Sequence, residues 1–225
     1  MRWKLRTLIG LIFCIAVVLA IFTNRARMIA AARHELVRAG AEVDFEHQIK
    51  SKGPFSPEVD RDAKAPIANF VPASLHWLFP QPIYRVQFNA TKMMQRSNKE
   101  PVSNSCIRIL SDAGPIRELT IFDGSNLADE AFGRFANMLQ LEDLSISVRD
   151  GFLSNEGFEQ ICRAPRLESI NITGGKMDGN ALRFLSGTSI DTLMLENTGI
   201  TDQELQEFAV QNPNVEVWIQ GQSSR

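Results

Sequence analysis

One short apolar pattern is written four times between Ile116 and Arg225 and then begun again, and that recurrence constrains the chain more than its composition does. The copies start at Ile116, Leu141, Leu167 and Ile190, with a partial fifth at Val215, so they lie 25, 26, 23 and 25 residues apart. A fixed period of this size is the signature of stacked supersecondary units.

Each copy opens with apolar residues at positions 1, 4 and 6: Ile116, Leu119, Ile121; Leu141, Leu144, Ile146; Leu167, Ile170, Ile172; Ile190, Leu193, Leu195. The final step of two puts both side chains on one face of a strand and the intervening residue on the other. A second apolar triplet follows at spacing +5 and +8: Leu127, Phe132, Phe135; Leu153, Phe158, Ile161; Met177, Leu182, Leu185; Ile200, Leu205, Phe208. Its last step of three is helical. The pattern therefore predicts strand, turn, helix, turn in every copy.

A single copy has six such side chains, each contributing roughly 1.5–3 kcal/mol when fully buried. Ordering the backbone costs about 1–2 kcal/mol per residue, so one copy is not expected to fold alone. Stacked copies lay strand on strand and helix on helix and close a continuous core between two layers.

The pattern resembles the leucine-rich repeat, in the variety reading L-x-x-L-x-L, then I-T-D, then a short helix. Leu193-Met194-Leu195-Glu196-Asn197-Thr198-Gly199-Ile200-Thr201-Asp202 carries the resemblance, which covers about half of the chain. Thr201 and Glu204 have the spacing of a capping box for the following helix. Ala128-Asp129, Ser154-Asn155 and Asp178-Gly179 depart from Thr-Asp, and Trp218 and Gln220 stand where strand apolars are expected. With Pro213 aligned on Pro165, residues 215–225 read as a divergent C-terminal cap. The resemblance implies an α/β solenoid, a parallel sheet on one face and helices on the other.

A degenerate first copy precedes these. Ile83, Val86 and Phe88 have the strand spacing, and Val102, Ile107 and Leu110 the helical one, so the repeat domain is placed at 83–225. Between them, Asn89 to Pro101 lengthens the turn and brings Lys92, Arg96 and Lys99. Such insertions fall on loops, sometimes the functional ones and more often tolerated surface.

The N-terminus is of another kind. Leu5 to Phe22 is an 18-residue apolar run whose charged member is Arg6 and whose polar member is Thr7. As a helix it spans roughly 27 Å, against a hydrocarbon core of about 30 Å. Residues 1–24 thus read as a transmembrane anchor. A cleaved signal peptide is the competing reading, with Arg2, Lys4 and Arg6 as its basic n-region and Val18-Leu19-Ala20 as a cleavage site. The continuation through Ile21 and Phe22, and an alanine-rich stretch that prolongs the helix, favour an uncleaved single-pass anchor. Arg25, Arg27, Arg33 and Arg38 balance the basic residues ahead of the span, so the positive-inside rule leaves the orientation open.

Residues 25–40 read as a juxtamembrane helix, either meeting anionic head groups or standing as a solvated stalk, and end at Gly40. Residues 41–71, with Pro54, Pro57 and Pro66 among mixed charges, read as a connector. Residues 72–82, carrying Ser74-Leu-His-Trp-Leu-Phe79 between prolines, read as an N-terminal cap on the array. Small bacterial membrane-anchored leucine-rich-repeat proteins are similar here, with an N-terminal span, an Ala/Leu stretch ending Gly-Ala-x-Val (Leu36 to Val43) and a proline-bounded cap.

The residue types argue against an enzyme. His34, His47 and His76 all precede the copies, and Cys14, Cys106 and Cys162 lack metal-ligand spacing and read as structural thiols. Gly174-Gly175-Lys176 approaches a phosphate loop, but Ile170 stands where its first glycine belongs, and a turn explains it. Asn89-Ala-Thr91 and Asn171-Ile-Thr173 are glycosylation sequons if the chain enters a glycosylating route. Residues 83–225 hold 13 basic and 19 acidic side chains without a basic stripe, which argues against nucleic acid.

What remains is the strand face turned from the core: Glu118, Thr120, Phe122; Asp143, Ser145, Ser147; Ser169, Asn171, Thr173; Thr192, Met194, Glu196. Neighbouring strands lie about 4.8 Å apart, so these residues stack into columns. Short hydroxyls and amides with a few carboxylates, and Phe122 and Met194 as apolar anchors, suit a protein or peptide partner. Glu118 and Asp143 share a column, but two carboxylates fall short of the six or so oxygens calcium takes. No metal or cofactor is expected. The sequence thus reads as a non-enzymatic, membrane-tethered interaction module. A self-associating envelope scaffold, or an exported soluble binding protein if the first segment is removed, is the alternative, with oligomeric state and partner undetermined.

Overall fold

The computed structural model describes residues 2–38, 40–45, 48–51, 58–59, 83–88, 102–113, 115–122, 127–148, 153–219 and 222–223. The cap read at 72–82, the lengthened turn at 89–101 and most of the connector lie outside them.

Helix α1 runs unbroken over Arg2–Arg38. Its first part is long and apolar enough to cross a membrane, and from Leu8 to Ile21 its large side chains are all exposed. The second part behaves differently. Ala26, Ile29, Ala32 and Leu36 recur every three or four residues and are buried, the last three within the main core. This part of α1 is therefore not a free stalk, because one of its faces is buried in the fold. Alanine at 26 and 32 allows close approach, and Leu36 is fully enclosed.

Strand β1, Ala41–Phe45, follows at once and corrects the reading of 41–71 as connector throughout. It pairs antiparallel with β4, Ile83–Phe88, with Ala41 opposite Phe88 and Phe45 opposite Ile83. Asp44 is buried in this pairing and accepts from Nε and Nη2 of Arg85 at 3.0 and 2.7 Å. Strands β2, Ile49–Ser51, and β3, Glu58–Val59, form a separate two-stranded sheet.

From β4 onward the strands are added in chain order: β5, Glu118–Ile121; β6, Asp143–Ser147; β7, Ser169–Thr173; β8, Thr192–Glu196; β9, Glu216–Ile219. All of these neighbours pair in parallel, and β10, Gln222–Ser223, turns back antiparallel on β9 to complete an eight-stranded sheet. Between strands lie α2, Asn104–Ala113; α3, Asp129–Phe132, continued by a 3₁₀ turn at Gly133–Asn137; α4, Asn155–Cys162; a 3₁₀ helix at Gly179–Leu185; and α5, Asp202–Gln211. The helices expected after β5 and β7 are thus shorter and tighter than α-helix throughout.

Every residue of the five strand triplets is buried, and so are the helical ones apart from the partly covered Phe208. They merge into one core, because parallel register stacks Leu119, Leu144, Ile170, Leu193 and Val217 side by side. That last member changes one expectation. Val217, not Trp218, continues the buried row, since the final connection is one residue shorter than the spacing from Pro213 implies. A one-residue shift exchanges the faces of a strand, so Trp218 lies on the outward side.

The helix starts, where the sequence departs from Thr-Asp, are joined segment to segment by hydrogen bonds. The Ala128 N–H donates to Asn104 at 3.2 Å, the Ser154 hydroxyl to Asp129 at 2.7 Å, and Asn155 Nδ2 to Asp178 at 2.9 Å. Ser154 and Asp178 also cap their own helices, and Thr201 with Glu204 forms the expected capping box. Two of the three departures therefore keep the capping function, Ala128 offers no side-chain cap, and all three add a bond between neighbours. At Gly174 a positive φ of 89° and the Val148 carbonyl beside the α-carbon exclude any side chain, so the Gly-Gly-Lys stretch is a turn built against backbone.

Candidate functional site: the outward face of the sheet

The register defines three rows across the strands. The first reads Asp44, Arg85, Glu118, Asp143, Ser169, Thr192, Glu216; the second Glu42, Gln87, Thr120, Ser145, Asn171, Met194, Trp218; the third Ser147, Thr173, Glu196. Eleven of the twelve residues singled out from the sequence lie in these rows, Phe122 being the exception, and none of the twelve is buried. Phe122, just past β5, is 37% exposed. Sequence reasoning missed Arg85, Gln87 and Trp218, and with them Glu42, Asp44 and Glu216 of the same rows. The alternation of Ile83–Phe88 contained the first two, whereas Trp218 was hidden by the one-residue shift.

The rows change character along the sheet. Near β4 the first row is charged and internally paired: Arg85 holds Asp44, and buried Tyr84 donates to Glu118. Burial first, then that bond and the nearby charges of Glu118, Asp143 and Glu142, hold the Tyr84 phenol well above its ordinary pKa. Asp143 sits among carboxylates. Loss of solvent, then the charge of Glu142, raises its pKa, with Glu168 and Asp191 adding to this and a hydrogen bond from Ser169 opposing it. Arg117 offsets part of this field at 3.4 Å from Glu142. Toward β9 the second row becomes apolar, with Met194 and Trp218 side by side.

Chemically the face offers hydroxyl, amide and carboxylate groups, with Met194 and Trp218 at one end. Among the described residues no group of three His, Cys, Asp or Glu side chains is arranged to hold a metal ion. His34 is the one histidine described; it is exposed on α1, 3.8 Å from Glu35. Cys162 is buried, and burial pushes its thiol up to about 12, so it is protonated and inert. On the opposite, helical side a cleft of about 430 Å³ runs between the 3₁₀ helix at Gly179–Leu185 and α5, lined by Arg183, Glu204, Glu207 and Phe208 among others.

No protein-family model matches the chain, and no curated protein matches it either.

Proposed function

We propose that this chain is a leucine-rich-repeat solenoid tethered to a membrane by α1, and that it binds a protein or peptide partner, without catalysis, on the outward face of its sheet. The observation that carries the reading is the in-register second row, Thr120, Ser145, Asn171, Met194 and Trp218, which is unburied and passes from small polar to large apolar side chains. Small hydroxyl and amide groups adapt to a partner's backbone, and an aromatic and a methionine supply the contact area that dominates interface energetics. The uninterrupted apolar stretch of α1 supports the tether.

The test is purification of the tagged full-length chain from native membranes in mild detergent. A stoichiometric partner, retained by the wild type and lost on Met194→Ala or Phe122→Ala with unchanged thermal unfolding, is the expected result. Equal retention by both variants, or no partner after crosslinking, contradicts it.

A further inference from the structure

The path of the chain from α1 into the sheet fixes a direction. The Arg33 guanidinium lies 5.1 Å from the centre of the Phe45 ring, although 12 residues of sequence separate them. Strand β1 starts at Ala41, just beyond the end of α1, so Phe45 reaches Arg33 only if β1 doubles back along the helix toward its N-terminus. Burial agrees, since Ala32 and Leu36 share the core with Ala41, and Val43 and Phe45 pack against it. Phe45 pairs with Ile83, the first residue of β4, and β5 to β9 are parallel to β4. Every parallel strand therefore begins on the side of the apolar part of α1 and ends away from it.

We infer that α1 holds the folded domain over the bilayer as a rigid post, with the strand-entry rim facing the lipid and the strand-exit rim facing away. The inference rests on the tether proposed above. Among the described side chains, exposed Ile21 precedes buried Ala26 by only about 8 Å of helix, and precedes Arg33 by about 18 Å. With no flexible segment between span and core, the domain has one height and one orientation. The three rows then run parallel to the membrane, and the first lies nearest to it. Among the described residues, Glu118, Glu142, Asp143, Glu168 and Asp191 outnumber Arg117 and Arg166 at the strand entries, so this rim is not drawn to anionic lipid, and at a height beyond the Debye length of about 8–10 Å the repulsion is largely screened. The interaction surface is thus offered sideways, close to the membrane plane.

The experiment places a donor fluorophore at either end of β7, in Ser169→Cys or Thr173→Cys, on the full-length chain carrying Cys14→Ala and Cys106→Ala. Each is reconstituted in phosphatidylcholine vesicles with a head-group acceptor. The two positions are about 13 Å apart along the strand, so transfer should be clearly stronger from position 169. Inserting a flexible Gly/Ser linker of about ten residues between Thr23 and Asn24 should abolish the difference. Equal or reversed transfer in a chain that floats with the vesicles overturns the orientation. Failure to float overturns the tether itself, and a difference that survives the linker shows that something other than α1 sets the orientation.

Discussion

Met194 and Trp218 are register partners on the last two parallel strands, β8 and β9, and lie together on the outward face while Leu193 and Val217 lie together in the core. The aromatic end of the proposed interface exists only in this register. Shifted by one residue, Trp218 would be buried and Val217 and Ile219 would take its place on the face, leaving it without the indole ring.

That register is testable by stability. Val217→Asp places an unpaired charge in the core and should cost about 3–5 kcal/mol, whereas Trp218→Asp should cost well under half of that. Denaturant melts of the two variants decide it, and the opposite order would restore the alignment of Pro213 on Pro165. The same contrast applies inside the array, where Leu193→Asp should unfold the domain and Ser145→Asp should be tolerated.

Buried Asp44 and partly buried Arg85 form an ion pair with high stakes. Arg85→Ala takes the guanidinium away from a carboxylate whose residue is 3% exposed and should cost roughly 3–5 kcal/mol, while joint replacement by Leu and Met should recover most of the loss. A double-mutant cycle by chemical denaturation measures this. Additive losses would mean the pair is not coupled.

Gly157 has no room for a side chain, because a β-carbon there would meet the Asp129 carboxylate, Leu153 and Phe132. Gly157→Ala should destabilise by about 1–3 kcal/mol. Asp129→Ala in the same chain should relieve part of that, since one of the three obstacles is then gone. A cost unchanged by the second substitution would show that the carboxylate is not the obstacle.

Asp143 gives a pH signature. Its pKa is raised in the folded state, so folding with the ionised carboxylate costs stability, and the cost disappears as pH falls through the raised value toward the ordinary one. Asp143→Asn should therefore stabilise the chain at neutral pH, by up to about 1 kcal/mol at this exposed position, and have no effect below the ordinary carboxylate range. Glu204 and Asp178 behave oppositely. The Thr201 backbone N–H holds Glu204 low and the Asn155 amide holds Asp178 low, so their contributions are present at neutral pH and are lost as acid protonates them. Equal effects of Asp143→Asn at neutral and acid pH would contradict this.

The buried positions of five strands and the segments after them were legible because each copy repeats the same two triplets, and repetition averages out local ambiguity. The capping box at Thr201 and Glu204 was legible because its chemistry is local. Two things were not. Ala41-Glu-Val-Asp-Phe45 alternates as a strand should, but five residues beside a proline-rich stretch do not outweigh a linker reading, and its partner lies some 40 residues away. Glu216-Val-Trp-Ile219 offers three consecutive apolar residues, so only the pairing with Leu193 decides that Val217 rather than Trp218 is inside. The joining of α1 to the core is non-local in the same way, since Ala26, Ile29, Ala32 and Leu36 mark a face without naming what covers it.

The most direct test of the account is site-specific photo-crosslinking in native membranes from a probe at position 171 or 194, with Val210 on the helical side as control. The account predicts a discrete adduct of one mass from positions 171 and 194 and none from 210. Adducts from 210 alone, or none from the outward face at any expression level, would contradict it.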